Sequence, residues 1–558
     1  MRSLPVISEL KQQVFSVKRE ELDAVIVGPD QGEDPYQEGS RKNFSGPPLG
    51  AYTVAHFAEA QGFKTTVWDP NLDGKKGLYE LIRDKRPPVL GFSILHETLE
   101  DDVRNIVAAK EASPDSTIVI GGFEATLNWR QLFTEVPMID VAVLGMGEKT
   151  FSYILSSAQQ GRSVESIPGI VYRKGLNDLV ETSREKYTSS DFVDALNNLD
   201  FGRVPYPRYW NVITSQGRAS LNTIRIMLTA NDCNYNCSFC TVPEFWSGSD
   251  KQRIQRGPIL EDDVSIAQIV RAVRLQPDTQ AFYIEDDNFG MNPKRMESVA
   301  RGIIRAKEIG YLPKDIKFFC QLRAESLLEQ TLKVMCDAGF TVLSLGIESF
   351  SPNVLNELTK AGPKAGEKTA KKWDERLNMI LGVPGLTPSM FMILFTPQST
   401  VDDVKLTMDT TLYWVNRGVN MNLNGYMISY PGAPMEANKY ETLTYRRINV
   451  PNTTIDFKVT DLVMPINKDV KNLAEEAYKR QERAVMDLSD EYNLPRDKIP
   501  LVIEHLVLFR EVYSLITDKK GQKNATNMIN ERLSELTKSA GAPVNSYTLS
   551  GSVSEQSC

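Results

Sequence analysis

The sequence predicts an α/β protein made of two successive parallel-sheet units and a small helical domain. Three observations carry this. Strand-like and helix-like segments alternate through the first 150 residues. A second alternation starts near residue 222, after a stretch rich in Pro, Arg and aromatics. From about residue 465 the pattern turns purely helical.

In the first unit, "LDAVIVGPD" reads as a buried strand and "PPLGAYTVAHFAEAQGF" as a helix after a Pro/Gly turn. "KTTVWDP", "PPVLGFSIL", "STIVIGG" and "DVAVLGMGE" give four more strands, with helices such as "LEDDVRNIVAAKEA" between them. This βαβ rhythm predicts an open, doubly wound, Rossmann-like sheet over 1–160. Ligands of such sheets sit beyond the carboxyl ends of the strands. Residues 161–220 ("FGRVPYPRYW" within them) read as a connector.

The second unit, 221–464, offers six strands: "IRIMLTAND", "AFYIEDD", "IKFFCQL", "FTVLSLGIES", "SMFMILF" and "NLNGYMISY". Six strand–helix pairs fit a partial (β/α)6 barrel, whose working residues lie at the carboxyl ends of its strands. Residues 361–386 read as an insertion. Residues 465–540 read as a helical domain and 541–558 as a disordered tail.

Composition narrows the function. There are 64 basic and 72 acidic residues, a net charge of −8. That is not the basic footprint of a nucleic-acid binder. The amino terminus lacks the apolar core of a signal peptide, and no run is long and apolar enough for a membrane span. The expectation is a cytoplasmic protein, where clustered cysteines serve metals rather than disulfides.

Three of the six cysteines, Cys233, Cys237 and Cys240, fall within "CNYNCSFC". From composition alone, that spacing arises in roughly one chain in a thousand. Three thiolates on one loop can hold three irons of a [4Fe–4S] cube and leave the fourth open. A structural zinc site wants four ligands. The three histidines, His56, His96 and His505, are all distant in sequence. Cys320 and Cys336 sit in apolar contexts and read as core. Cys558 falls in the tail.

C-x3-C-x2-C after the first strand of a βα barrel resembles the radical S-adenosylmethionine (SAM) superfamily. Phe239 stands where that family carries an aromatic beside the adenine. "FYIEDDNFG" resembles the acidic end of the second strand, which implies Glu285, Asp286 or Asp287 at the SAM amino group. "CQLRAE" resembles the third-strand motif, with Gln321 and Arg323 facing into the barrel and Arg323 suited to the SAM carboxylate. "LGIESFSPNVLNELTK" resembles the fourth, which puts Glu348 and Ser349 near the ribose. "GYMISYPGAPM" resembles the sixth, with Tyr430 and Pro431 beside the adenine.

The first unit resembles the cobalamin-binding domain that precedes the barrel in one large subgroup of that superfamily. Ser93, Gly121, Gly122, Thr126, Gly145 and Gly147 are its candidate cofactor contacts. The loop "GPDQGEDPYQEG" lacks the histidine that ligates cobalt in many cobalamin proteins. His96, after a later strand, reads as an ordinary polar loop residue rather than a cobalt ligand.

The resemblance implies a cobalamin-dependent radical SAM enzyme, fed by an electron donor such as flavodoxin or ferredoxin. It would cleave SAM reductively at a [4Fe–4S] cluster to a 5′-deoxyadenosyl radical. The reaction it implies is methylation of an unactivated carbon of a small molecule. Cyclisation, oxidation or rearrangement with the same cofactors, and a radical SAM enzyme without cobalamin, are the alternatives. A non-catalytic iron–sulfur or zinc module would instead leave Cys233, Glu285, Arg323 and Glu348 far apart. Natural-product, tetrapyrrole and lipid substrates all stay open.

Overall fold

The computed structural model describes residues 22–34, 37–41, 46–175, 178–215, 221–229, 233, 235–247, 260–360, 364–437, 443–492, 501–517, 526–527 and 529–531. The expected tail 541–558, with Cys558, lies outside them, as does most of the last expected helical stretch. No described helix is long and apolar enough to cross a membrane.

The first sheet holds β1 (Ala24–Val27), β2 (Thr65–Trp68), β3 (Val89–Ser93), β4 (Thr117–Gly121), β5 (Val141–Val143), β6 (Ile170–Arg173) and β7 (Leu179–Glu181), in the order β2-β1-β3-β4-β5-β6-β7. The first five are parallel and the last two run antiparallel. Alternate residues serve opposite faces. Val25, Leu90 and Ile120 pack with Val103 and Leu132 on one side; Ile26, Val89 and Val119 pack with Ala55 and Ile154 on the other. Burial of both faces explains the nearly unbroken apolar runs. The strand order reverses between β1 and β3, the kind of position at which such sheets bind ligands beyond the carboxyl ends of their strands.

The expected connector is more ordered than its sequence suggests. The antiparallel pair β6–β7 extends the first sheet. The helix Ser189–Asn198 follows, started by a capping box between Thr188 and Asp191.

The second sheet holds six parallel strands: β8 (Thr223–Ile226), β9 (Ala281–Ile284), β10 (Lys317–Leu322), β11 (Phe340–Glu348), β12 (Thr387–Phe395) and β13 (Asn420–Ile428). These are the six expected strands, bent into the partial barrel. The supposed insertion 361–386 is a correction. It contains the barrel's own helix Gly366–Leu381, which buries Thr369, Trp373, Leu377 and Ile380. Its charged run "EKTAKKWDER" hides this one-sided spacing. The helices Lys468–Tyr492 and Leu501–Ile516 pack on each other, and the second also lies against β13.

One element was not anticipated. β14 (Leu443–Asn449) and β15 (Asp456–Val463) form an antiparallel hairpin on the edge of β13, joined by the pairs Met427–Val463 and Ile428–Leu462. Its far end leaves the barrel. Ile448, Val450, Ile455, Phe457 and Val459 enter the core of the first domain. The alternation in "INVPNTTIDFKV" was the available signal.

Polar contacts lock the hairpin there. Gln131 Nε2 donates to the Lys458 carbonyl at 2.7 Å, and Arg446 donates to the His96 carbonyl. His96 is not the ordinary polar loop residue expected but a buried clamp. Its Nε2 donates to the Thr460 carbonyl at 2.8 Å, and its Nδ1 meets Glu124 Oε2 at 3.0 Å. Both nitrogens face acceptors, so the ring is held as an imidazolium. Burial opposes that charge, but the Glu124 hydrogen bond and carboxylate prevail and raise the His96 pKa above 6.5.

Two outcomes are expected. Phe457→Ala should lower the unfolding free energy by about 3–4 kcal/mol in chemical denaturation, the usual loss for a buried Phe; a loss below about 1 kcal/mol would place the hairpin outside the core. His96 gains protons on folding, so its stabilisation is complete below pH 6.5 and fades as pH rises through its higher folded value. The stability difference between wild type and His96→Gln should therefore shrink as pH rises above 6.5. A pH-independent difference would mean that the ring is neutral.

Candidate functional site

The cysteine loop starts from a fixed base. Asp286, just after β9, is fully buried and accepts the amides of Leu228 (2.6 Å) and Thr229 (3.0 Å) at the end of β8. Burial pushes its carboxyl up to about 6. Its second oxygen has no hydrogen bond and faces Arg295 at 3.9 Å. Gln321 Nε2 donates to the Asp286 carbonyl at 3.2 Å and steadies the same strand end.

Backbone bonds fold the loop and tie it to two others. The Cys240 amide donates to the Cys237 carbonyl at 3.1 Å. Ser238 donates from its amide to the Leu358 carbonyl and from its hydroxyl to the Glu357 carbonyl, both at 3.1 Å. Thr359 Oγ1 donates to the Asn236 carbonyl at 2.9 Å, and the Met435 amide donates to the Ser238 carbonyl at 2.8 Å. The segments after β11 and β13 therefore cradle the three thiols.

Cys233, Cys237 and Cys240 are all reduced. Burial raises the Cys233 and Cys240 thiols, the latter to about 12, and the Asp287 charge adds to both. This separates the three acidic candidates. Asp287 lies beside the thiols, Asp286 secures the backbone, and Glu285 is paired with Arg225 across the β8–β9 strands. Among the described residues, no three His, Cys, Asp or Glu side chains form a ready site for a single metal ion.

Arg323 closes over the loop. Its Nη1 lies 3.4 Å from Cys237 Sγ, and its guanidinium stacks 3.6 Å above the Tyr235 ring. The remaining donors go to Glu325 and the Lys360 carbonyl, and its own amide to Asn288 Oδ1 at 3.1 Å. The expected carboxylate-binding fork is thus turned to protein partners. Sequence reading missed its neighbour Lys360, the last residue of "NELTK". This buried lysine meets Glu348 Oε1 at 2.7 Å and lies 5.7 Å from the Phe239 ring centre.

Glu348 occupies the left-handed region at φ +64°, uncommon for a residue with a side chain. Such strain persists where its surroundings enforce it, commonly at functional sites. A Cβ at Gly346 would come within 2.9 Å of both Lys360 Nζ and the Glu348 carboxylate. Ser349 turns elsewhere: its hydroxyl pairs with Thr407 Oγ1 at 2.8 Å and accepts the Ser351 amide at 3.0 Å.

Across from the loop stand the strand ends of the first domain. Gly122, at φ +98°, lets the chain turn beside β3, where a Cβ would strike the Ile94 carbonyl at 2.8 Å. Ser93 borders that turn. A side chain at Gly121 would meet nothing within 4 Å, so that strand end opens on space. The Thr126 hydroxyl is engaged within the fold: it donates to the Gly122 carbonyl at 2.8 Å and accepts the Gly145 amide at 3.0 Å. Gly147 lies against Val54.

Between these strand ends and the barrel lies a cavity of about 180 Å³, lined by Leu95, His96, Glu97, Phe123, Glu124, Leu127, Thr241, Tyr430 and Pro431. Thr241 follows Cys240 directly. The Tyr430 hydroxyl donates to Glu97, and its ring meets His96 edge-on at 5.6 Å. Burial and the Glu97 charge raise the phenol's pKa. Phe123 stacks on Phe245, in the helix after the cysteine loop, with ring centres 4.2 Å apart.

The residues fit the implied groups. Three soft sulfurs, with no fourth cysteine or histidine ligand beside them among the described residues, suit an iron–sulfur cluster with one open corner. Space beyond Gly121, at the carboxyl end of β4, suits a large planar cofactor. Both His96 nitrogens are engaged, so this ring is not presented to a metal.

Comparison with known proteins agrees. The B12 binding domain family matches residues 42–155, and the Radical SAM superfamily matches 227–396. An uncharacterized methyltransferase of Pyrococcus horikoshii is 25% identical, covering 66% of this chain and 76% of that protein. The cytidylyl-2-hydroxyethylphosphonate methyltransferase of Streptomyces wedmorensis is 22% identical, over 78% of this chain and 88% of its own length. In fold, the chain is similar to the radical SAM methyltransferase TsrM of Kitasatospora setae, solved with tryptophan and a SAM analogue: TM-score 0.64, 14% identity, covering 92% of this chain and 99% of that one. With both domains matched in this order, the chain belongs to the radical SAM superfamily, in the group whose barrel follows a B12 binding domain.

Proposed function

We propose that the protein is a cobalamin-dependent radical SAM methyltransferase acting on an unactivated carbon of a small molecule. The observation that carries this reading is a cavity shared by the B12-domain strand ends, Thr241 of the cysteine loop and Tyr430–Pro431 just after the last barrel strand. Cys233, Cys237 and Cys240 would hold the cluster. Glu348, Lys360, Phe239 and Asp287 would receive SAM, and the segments Ser93–Glu97 and Gly121–Thr126 would face cobalamin. When bound, these groups supply one-electron cleavage of SAM and a transferable methyl group. The electron would come from a flavodoxin or ferredoxin.

The chain's own residues do the positioning. Asp286 sets the height of the cysteine loop by holding two β8 amides. Lys360 neutralises Glu348 inside the barrel, and a substrate carboxylate could share that ammonium. Arg323 covers Cys237 and keeps water from that sulfur. The Phe123–Phe245 stack and the His96 clamp fix the spacing between the two domains.

Anaerobic reconstitution with iron, sulfide and hydroxocobalamin tests the proposal directly. Cluster absorbance, retained cobalamin after desalting and 5′-deoxyadenosine on reduction with SAM are expected; cobalamin washing out would remove the methyltransferase reading. Cys237→Ala should lose the cluster and all SAM cleavage, and retained cleavage would refute the radical SAM assignment. Glu348→Gln should weaken SAM binding about tenfold or more, the loss expected for a charged hydrogen bond, in equilibrium dialysis of the reconstituted enzyme. Unchanged affinity would remove Glu348 from the SAM site.

A further inference from the structure

The inside of a βα barrel is ordinarily filled by branched apolar side chains. Strand β13 departs from that rule, with Asn420, Met421, Asn422, Leu423 and Asn424 in alternation. Met421 and Leu423 go to the outer core, packed beneath the surrounding helices. The asparagines take the other face. Register fixes which face that is: Asn420 pairs with Ser389, Ser389 with Ser344, and Ser344 with Gln321, while Asn422 pairs with Phe391 and Phe391 with Gly346. Paired residues of parallel strands point to the same side, so the asparagines share the concave face with Gln321 and Gly346.

Asn420 is buried and partnered. Asn422 is half-buried and Asn424 exposed, and among the described residues neither carboxamide carries a hydrogen bond. Asparagine is a poor strand residue, so two unpartnered ones on one strand call for a role beyond folding. The outer side of the strand is filled: Tyr426 lies parallel to Tyr478 of the helix Lys468–Tyr492, with ring centres 5.0 Å apart, and the Tyr478 hydroxyl rests where a side chain at residue 425 would stand.

Resting on the functional reading above, we propose that Asn422 and Asn424 determine substrate specificity by binding an amide-bearing small molecule on the concave face of the barrel. Each carboxamide both donates and accepts, which matches the N–H and C=O of an amide. Two residues apart on a strand, they are spaced by roughly 6.6 Å, which suits a substrate with two polar groups in line. A lipid chain or the face of a tetrapyrrole would leave both unpaired.

The test compares N-acetylglycinamide with its matched diester, methyl acetoxyacetate, which has no N–H, by ligand-observed NMR on the reconstituted enzyme with SAM. The amide should bind at least about tenfold more tightly to wild type, since a site built for an N–H rejects the analogue without it. In the double variant Asn422→Leu/Asn424→Leu the ratio should fall close to one, with folding checked by circular dichroism and cluster absorbance. Equal or undetectable binding of the two probes to wild type overturns the inference, whatever the variant does. So does a variant that keeps the wild-type ratio. SAM cleavage by wild type without an amide preference removes this inference alone, whereas a cluster-loaded enzyme that does not cleave SAM removes the functional reading beneath it.

Discussion

Two parallel sheets can share a site only if their carboxyl ends face each other and stay open. Nothing in either sheet enforces that. The hairpin β14–β15 does. It leaves the barrel beside β13 and buries five apolar side chains in the core of the first domain. The junction is thus part of a hydrophobic core, not a polar domain contact, and relative domain motion is correspondingly restrained. His96 and Glu124 add a buried charged pair at the same seam, next to the cavity. Breaking one half of such a pair leaves an uncompensated buried charge, which makes the junction intolerant of small shifts.

That rigidity matters because the site itself is under load. Glu348 sits at positive φ against the buried Lys360, and the buried Arg323 lies against the Cys237 thiol. Strain of this kind costs on the order of 1–3 kcal/mol per residue and must be held by its surroundings. Here the surroundings are the backbone bonds that tie residues 236–240 to 357–359 and 435. Cluster loop and SAM-motif loop are consequently one unit. A change in either should be felt by both.

Much of this was legible in the sequence. All eleven strands expected for the two main sheets are present, because their apolar runs are bounded by Gly and Pro. The cysteine loop and its motifs were legible because chemistry fixes their spacing locally. What escaped was set by tertiary contact. The hairpin β14–β15 alternates clearly, yet nothing local says that its apolar face belongs to another domain. The helix Gly366–Leu381 hides Trp373 and Leu377 among charges. His96 reads as a loop residue until Glu124 and Thr460 are brought to it from 28 and 364 residues away. Lys360 stood inside a quoted motif, but only the fold turns it onto Glu348.

The same contrast separates cofactor from substrate. The candidate cofactor contacts come from strand ends and tight turns, where a few residue types are compatible with the backbone and motifs are short and contiguous. The proposed substrate contacts would instead be single positions within a strand, Asn422 and Asn424 of β13, outside any contiguous motif. Each of these positions tolerates many residues without harm to the barrel. Such positions are free to diverge while the cofactor loops are not. The barrel thereby fixes how a radical would be made and leaves to its concave wall which molecule receives it.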